Sequence, residues 1–271
     1  MEKKCTFAFM DSGVGGLPYL QELVKVTGFN NCVYYADTRN FPYGEKTDSE
    51  IIENACKGVA LLIEKFSPEV IVVACNTMSV AALESLRAGF PSVEFVGTVP
   101  AIKTARQLTR NRIIGLLATE RTISHKYTGE LIRKFAGDCI VVKRGDSNLI
   151  RFIETRLDSS SPEEKYKALE PCFTEFKNKN VDTVILACTH FLRMTGEFKN
   201  MFEPEIKVID SLEGVVNQAV KLSEKYPEAE KKSGTPVVYI SGQENEDKNN
   251  TDSHYKDLCG KLNFLWGGIL K

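Results

Sequence analysis

The sequence predicts an α/β fold made of two pseudo-symmetric α/β domains with mostly parallel sheets. Three observations support this prediction. Short apolar runs alternate along the chain with longer segments of helical period. The runs are mostly apolar throughout, which is typical of parallel strands buried on both faces. The chain also resembles itself, which indicates a duplicated half-domain.

The predicted strands are the apolar runs, taken in chain order. Nine runs of three to five residues are expected to form strands: 6–10, 32–36, 70–74, 93–96, 113–117, 140–142, 183–187, 206–209 and 237–240. Their length and composition suit the strands of a parallel sheet.

Helices are predicted between these strands. Thr47 and Glu50 have the spacing of a capping box, and the apolar residues after them fall on one helical stripe. Ser161 and Glu164 repeat this spacing, with Pro162 at the first helical position. Further helices are expected over residues 17–26 and 78–88.

The internal resemblance consists of two pairs of segments in the same order. FAFMDSG (7–13) resembles IGLLATE (114–120), and VVACNT (72–77) resembles ILACTH (185–190). We expect a first domain of residues 1–97 plus 210–271 and a second domain of residues 98–209. Because ligands of such sheets bind beyond the carboxyl ends of the strands, Cys75 and Cys188 are predicted to face one active site in the cleft between the domains.

The composition limits the classes of function. A hydrophobic content of 42% and a charged content of 26% indicate a soluble globular protein, and a net charge of -1 offers no field that would attract nucleic acid or a membrane. The apolar run before Asp11 is too short for a signal peptide or a membrane span, so a cytoplasmic location is expected. The acidic run 243–252 is expected to be a solvated loop.

The eight cysteines include no C-x-x-C pair, so reduced thiols are expected. The six that lie outside the two matched motifs are expected to be inert core or helix residues: Cys5, Cys32, Cys56, Cys139, Cys172 and Cys259.

Cys75 is predicted to lie where a strand ends and a helix begins. Free N–H groups and the dipole at a helix N-terminus favour a thiolate and also a bound carboxylate. Asn76 and Thr77 add an amide and a hydroxyl at the same place. The alternative is that Asn76 or Thr77 only caps the helix.

Cys188 has a histidine two residues later. On an extended stretch, Cys188 and His190 would point to the same side, where the imidazole could relay protons or hold the thiolate. The alternative is a structural histidine beside a buried cysteine.

Two loops complete the set of candidates. DSGVGGL (11–17) is not a nucleotide-binding fingerprint, because Pro18 stands where G-x-G-x-x-G needs its last glycine. Asp11 could steer the protonation of a base or could merely cap the following helix. The loop with Pro42, Tyr43 and Gly44 could be a simple turn or could close over a ligand.

The motifs DSGVGGL, PYGEK, VVACNT and LACTH, in this order, resemble the glutamate racemase family of bacteria. The resemblance extends from residue 7 to about residue 209, and VVYISG fits the later part of the family pattern. It implies a cofactor-independent isomerase that interconverts L- and D-glutamate and supplies D-glutamate for peptidoglycan, and so for cell-wall biogenesis and cell shape. After C-T-H the family often has Tyr-Pro, whereas this chain has Phe191 and Leu192.

The resemblance also implies roles for individual residues. Cys75 would act on D-glutamate with help from Asp11, and Cys188 would act on L-glutamate with help from His190. The residues expected to bind substrate are Asp11, Ser12, Tyr43, Gly44, Asn76, Thr77, Thr189 and His190. Further candidates are Pro42, Thr119, Thr122 and Glu154, of which Glu154 would be the acid that follows a proline-rich stretch in the family.

Two other functions remain open at this point. One is an aspartate racemase or another member of the superfamily; decarboxylase relatives have one active cysteine, so two cysteines argue against that branch. The other is a non-catalytic protein with Cys75, Cys188 and His190 as metal ligands, although a fourth ligand is not apparent. The expected partner is glutamate, with no metal, nucleic acid or membrane. The sequence does not determine the oligomeric state, and a homodimer is one assembly that it allows.

Overall fold

The computed structural model describes residues 5–226, 231–242 and 248–271. The chain divides into two compact units. The first unit comprises the described residues of Met1–Thr98 and Leu212–Lys271, and the second unit comprises Val99–Ser211. Within the described residues, no helix combines the length and the apolar character that crossing a membrane requires.

Strands form a parallel sheet in each unit. The strands are β1 (Phe7–Asp11), β2 (Cys32–Ala36), β3 (Val70–Val73), β4 (Glu94–Gly97), β5 (Ile113–Ala118), β6 (Ile140–Gly145), β7 (Thr183–Leu186), β8 (Lys207–Ile209), β9 (Val237–Ile240) and β10 (Leu265–Ile269). The first unit has the order β10-β9-β2-β1-β3-β4, and the second has β6-β5-β7-β8. All of these strand pairs are parallel, which confirms the predicted α/β class.

Helices connect the strands. They are α1 (Leu17–Thr27), α2 (Asp48–Phe66), α3 (Asn76–Gly89), α4 (Ile102–Leu108), α5 (Glu120–Ser124), α6 (Lys126–Ala136), α7 (Ser147–Thr155), α8 (Pro162–Asn178), α9 (Thr195–Phe202), α10 (Leu212–Ser223) and α11 (Lys248–Leu262). Both predicted capping boxes are confirmed, Thr47 with Glu50 and Ser161 with Glu164.

Four neighbouring strands of the first sheet have the same order as the whole second sheet. The order β2-β1-β3-β4 in the first unit corresponds to β6-β5-β7-β8 in the second. Equivalent backbone hydrogen bonds close the third strand of each set: the Ala74 N–H donates to the Met10 oxygen at 2.8 Å, and the Ala187 N–H donates to the Leu117 oxygen at 2.8 Å. The residue after each alanine is a cysteine, so this duplication puts Cys75 and Cys188 in matching places.

Some predicted boundaries were wrong. β10 was missed because Gly267 and Gly268 interrupt its apolar pattern, and because it is an edge strand whose register shifts between Trp266 and Gly268. β6 continues beyond residue 142 to Gly145 because an edge strand tolerates polar residues. Residues 243–247 of the expected acidic loop lie outside the described residues, and Lys248 begins α11.

All eight cysteines are free thiols, as predicted. Four of the six that were expected to be inert, Cys5, Cys32, Cys172 and Cys259, are buried. Cys56 and Cys139 are half-buried and pack against the edges of the two apolar cores rather than lying within them.

Gly16 provides a test of how closely β3 and the loop after β1 pack. A Cβ added there would lie 2.7 Å from the Ala74 Cβ and 2.9 Å from the Ala74 oxygen. We expect Gly16→Ala to lower the free energy of unfolding by roughly 1–3 kcal/mol, since backbone must move to admit the methyl group. Urea denaturation measures this change.

Gly214→Ala is the matched control. Gly214 lies inside α10, and an added Cβ would meet no atom within 4 Å. This variant should be more stable than the parent by up to about 1 kcal/mol, because alanine is the better helix former. Equal stability of Gly16→Ala and the parent would contradict the packing described for β3.

Candidate active site

We call the cysteine-bearing carboxyl edge of each sheet a half-site. In the first half-site, β2, β1, β3 and β4 end beside one another. Asp11 ends β1, and the Asp37 N–H donates to the Asp11 oxygen at 2.8 Å. Cys75 follows β3 by two residues, and Thr98 follows β4 directly. Asp11 and Asp37 thus lie at the ends of the neighbouring strands β1 and β2. The parallel register places both acids at the same sheet edge as Cys75.

Cys75 is the N-cap residue of α3. Its backbone is extended (φ -141°, ψ 121°), and its side chain makes no capping hydrogen bond. The expected helix start at residue 78 was therefore two residues late, and the alternative in which Asn76 or Thr77 is the cap was wrong. Cys75 is 6% exposed. A helix N-terminus favours negative charge, so this position stabilises a thiolate.

Asn76 and Thr98 leave two buried oxygens beside Cys75. The Asn76 Nδ2 donates to the Thr98 carbonyl at 3.1 Å. The Asn76 Oδ1 and the Thr98 Oγ1 are buried and have no hydrogen-bond partner among the described residues. Burial of an unsatisfied polar atom costs about 1–3 kcal/mol, so these atoms suit a ligand that brings donors.

Asp11 is completely buried and belongs to a hydrogen-bond network. Its Oδ1 accepts from the Ser12 N–H at 2.6 Å, and its Oδ2 lies 3.3 Å from the Tyr34 hydroxyl. That hydroxyl also donates to the Gly13 oxygen at 2.7 Å and accepts from the Gly16 N–H at 3.1 Å. The alternative that Asp11 caps α1 was wrong, because Gly16 is the N-cap residue and no side chain caps it.

Tyr43 extends the first half-site through the loop after β2. The loop forms two short 3-10 turns, Thr38–Asn40 and Tyr43–Glu45, so it is more ordered than a simple turn. The Tyr43 hydroxyl donates to the Asp37 Oδ2 at 2.7 Å, and Tyr43 packs in the same apolar cluster as Cys75. Burial and the negative charge of Asp37 raise the pKa of Tyr43, so it stays a neutral phenol. The predicted neighbours Pro42 and Gly44 are half-buried.

The second half-site has the same backbone design. Cys188 is the N-cap residue of a 3-10 helix (Thr189–Met194), with an extended backbone (φ -138°, ψ 134°). Like Cys75, it is 6% exposed. His190 was expected on an extended stretch, and this was wrong, because it lies in the 3-10 helix. Nevertheless, the turn brings the His190 Nδ1 to 3.7 Å from the Cys188 Sγ.

A buried carboxylate completes this group. The His190 Nε2 lies 2.8 Å from the Glu154 Oε2, and Glu154 comes from the last turn of α7. Burial by itself would lower the pKa of His190, but the hydrogen bonds to Cys188 and Glu154 and the charges of both groups raise it to about 10. The geometry thus favours an imidazolium that faces the Glu154 carboxylate on one side and the Cys188 sulfur on the other.

The predicted threonines lie at helix starts of the second unit. Thr119 is the N-cap residue of α5: its Oγ1 accepts from the Thr122 N–H at 3.0 Å, and it donates to the Thr122 Oγ1 at 2.9 Å. Thr189 is buried and begins the 3-10 helix. Thr119 and Thr122 therefore have a capping role, at the same sheet edge as Cys188.

The described residues contain no group of three or more histidine, cysteine, aspartate or glutamate side chains able to hold a metal ion. The His190 nitrogens face Cys188 and Glu154, one on each side. This arrangement suits proton transfer and charge stabilisation at a thiol.

Three buried residues of the first half-site were not predicted: Tyr34, Asp37 and Thr98. Asp37 had a signal in the sequence, since it directly follows a predicted strand, as Asp11 does. Tyr34 and Thr98 had none, because their contacts join segments that are distant in sequence.

Comparison with known proteins places the chain among racemases. Residues 19–219 match the family model described as Asp/Glu/Hydantoin racemase. Glutamate racemase of Treponema pallidum is 39% identical over 97% of this chain and 96% of its own length, and glutamate racemase of Rhizobium meliloti is 35% identical over 86% and 85%. The crystal structure of Escherichia coli glutamate racemase with L-glutamate and the activator UDP-MurNAc-ala has a TM-score of 0.86 at 30% identity, covering 98% of both chains.

The charge state of His190 is directly testable. We expect the ring nitrogens of His190 to show the NMR shifts of an imidazolium at pH 8, because Cys188 and Glu154 raise the pKa to about 10. Glu154→Gln should lower that pKa, since a neutral amide replaces the carboxylate. Glu170→Gln, on an exposed position of α8, is the matched control.

The same shift predicts a pH dependence of stability. A raised folded-state pKa contributes stability that is fully present below about 6.5 and is lost as the pH rises through about 10. The difference in free energy of unfolding between the parent and Glu154→Gln should therefore shrink across this window. Neutral-imidazole shifts in the parent at pH 8 would contradict the assignment.

Proposed function

The chain belongs to the Asp/Glu/Hydantoin racemase family, and on that premise we propose that it is a cofactor-independent glutamate racemase. It would interconvert L- and D-glutamate by removing the Cα proton on one face and returning a proton on the other. The substrate assignment is supported by the glutamate racemases of Treponema pallidum and Rhizobium meliloti, which match most of this chain.

One observation carries the mechanism: two cysteines occupy equivalent places after the third strand of two four-strand sets that have the same order, β2-β1-β3-β4 and β6-β5-β7-β8. Each cysteine is an extended N-cap residue, and each is exposed to the same small extent. Inversion at a carbon needs a base on one face and an acid on the opposite face, and a reversible reaction needs these roles to exchange. Two groups of one kind meet this need.

The proton balance assigns each thiol a role in each direction. With L-glutamate, the Cys188 thiolate takes the Cα proton and becomes a thiol, while the Cys75 thiol gives its proton to the opposite face and becomes a thiolate. With D-glutamate the roles reverse. Asp11 would assist Cys75, and His190, held by Glu154, would stabilise the Cys188 thiolate.

Substrate binding would use the buried oxygens and the helix N-termini. The Asn76 Oδ1 suits the substrate ammonium group, which can supply its missing donor. N–H groups at the start of α3 suit a carboxylate. We propose that Ser12, Tyr43, Gly44, Thr77 and Thr189 complete the contacts.

We further propose that the two compact units act as the two predicted domains, each supplying one thiol. The product D-glutamate would serve peptidoglycan synthesis. The homodimer remains a prediction.

An aspartate racemase is the second candidate, because the matched family includes enzymes for both amino acids by name. L-aspartate assayed in parallel with L-glutamate separates the two: racemisation of aspartate alone would move the assignment within the family. The metal-binding alternative has little support, because His190 already faces Cys188 and Glu154.

The two-thiol mechanism predicts that both cysteines are indispensable. We expect Cys75→Ser and Cys188→Ser each to lower the rate of racemisation by roughly 10³-fold or more, since an alcohol is a far weaker acid than a thiol. Circular dichroism of glutamate solutions follows the reaction.

Cys56→Ser and Cys139→Ser are the matched controls, one half-buried cysteine in each unit. They should keep parental rates. Racemisation at a parental rate by either Cys75→Ser or Cys188→Ser would rule out the mechanism.

A further inference from the structure

Arg193 connects the elements that carry His190 and Glu154. It lies in the same 3-10 helix as His190 (Thr189–Met194). Its Nη2 donates to both oxygens of Asp158 at 2.8 Å, and its Nη1 donates to the Ile153 carbonyl at 3.3 Å. The side chain of Arg193 is only 10% exposed. Ile153 directly precedes Glu154, so the guanidinium group is anchored beside the residue that holds His190.

The electrostatics of α7 explain why a cation is needed there. Glu154 lies in the last turn of α7, where the helix presents its negative end. A carboxylate is disfavoured at this end, and burial makes the cost larger. The last turn of α7 contains no basic residue of its own. Arg193 brings a positive charge to one of the terminal carbonyl groups from a different element.

Two partners together fix the guanidinium in place. Asp158 lies in the short 3-10 helix that follows α7 (Leu157–Ser159). The Arg193 Nη2 donates to the Asp158 carboxylate while the Nη1 donates to the Ile153 carbonyl, so the planar group spans both partners, which the single nitrogen of a lysine could not reproduce. These contacts hold the 3-10 helix that carries His190 against the end of α7.

We propose that Arg193 is a positioning residue for the Cys188 half of the reaction. It holds the Glu154 carboxylate against His190 and stabilises the ionised form of that carboxylate, and so sets the reactivity of the Cys188 thiol. This inference rests on the proposed racemase function. Arg193 itself touches neither Cys188 nor the substrate position in this assignment.

Primary deuterium isotope effects test the inference, because they do not depend on the fraction of active enzyme. Racemisation is measured with 2-deuterated L-glutamate and with 2-deuterated D-glutamate, for the parent and for Arg193→Met. Because enantiomers have equal free energy in water, kcat/KM must fall equally in both directions. We expect a fall of about tenfold, the size of a charge effect at a partly buried helix end.

The isotope effects should diverge between the two directions. If Arg193→Met slows proton transfer at Cys188, the isotope effect on kcat/KM should rise for L-glutamate and fall towards unity for D-glutamate. Arg193→Lys keeps the charge but cannot hold Asp158 and the Ile153 carbonyl with two nitrogens of one plane, so its shift should be smaller and in the same direction. Arg193→Lys replaces Arg193→Met as the test if that variant does not fold.

Arg106→Met is the matched control. Arg106 makes a similar two-bond pair with Asp138 in the same unit, on α4. Its isotope effects should equal those of the parent. Isotope effects of the Arg193 variants that also equal those of the parent, with or without lower activity, would overturn the inference. A parent enzyme that does not racemise glutamate would instead overturn the proposed function.

Discussion

Each half-site depends on one backbone hydrogen bond at the end of the strand that precedes its cysteine, which is β3 in the first sheet and β7 in the second. The Ala74 N–H donates to β1, and the Ala187 N–H donates to β5. In both places the next residue is a cysteine, where the chain leaves the sheet. An extended cysteine at a helix N-cap presents its Sγ at the carboxyl edge, near N–H groups that favour a thiolate. If the two strands did not end at these alanines, the thiols would not lie at the same sheet edge as the assisting groups and the buried polar oxygens.

The two half-sites combine one backbone design with different assisting groups. In the first unit, Asp11 at the end of β1 accepts from the Ser12 N–H and lies next to the Tyr34 hydroxyl. In the second unit, Ala118 occupies the matching strand end, and the assistance comes from His190 and Glu154. The two units therefore surround cysteines of the same backbone geometry with different polar groups.

The sequence was sufficient for features that depend on local pattern. The sequence around Cys75 combines a buried strand with a helix start, although that start was predicted two residues late, and both capping boxes follow from residue spacing. Contacts across long separations could not be predicted. Glu154 and His190 are 36 residues apart, and Tyr34 meets Asp11 across 23 residues, so tertiary packing alone brings them together. The His190 turn was missed because a 3-10 helix and an extended stretch both allow contact with Cys188.

Hydrogen exchange at the substrate Cα in deuterium oxide tests the central claim, that two thiols act on opposite faces of one carbon, most directly. L-glutamate would be converted to a small extent, and the Cα deuterium content of the D-glutamate product and the remaining L-glutamate would be measured separately by NMR. The two-thiol account predicts deuterium in the product and little in the remaining substrate, because the thiol that removes a proton is not the one that delivers the solvent-derived deuteron. Equal deuterium in both enantiomers at early times, or none in either, would contradict the account.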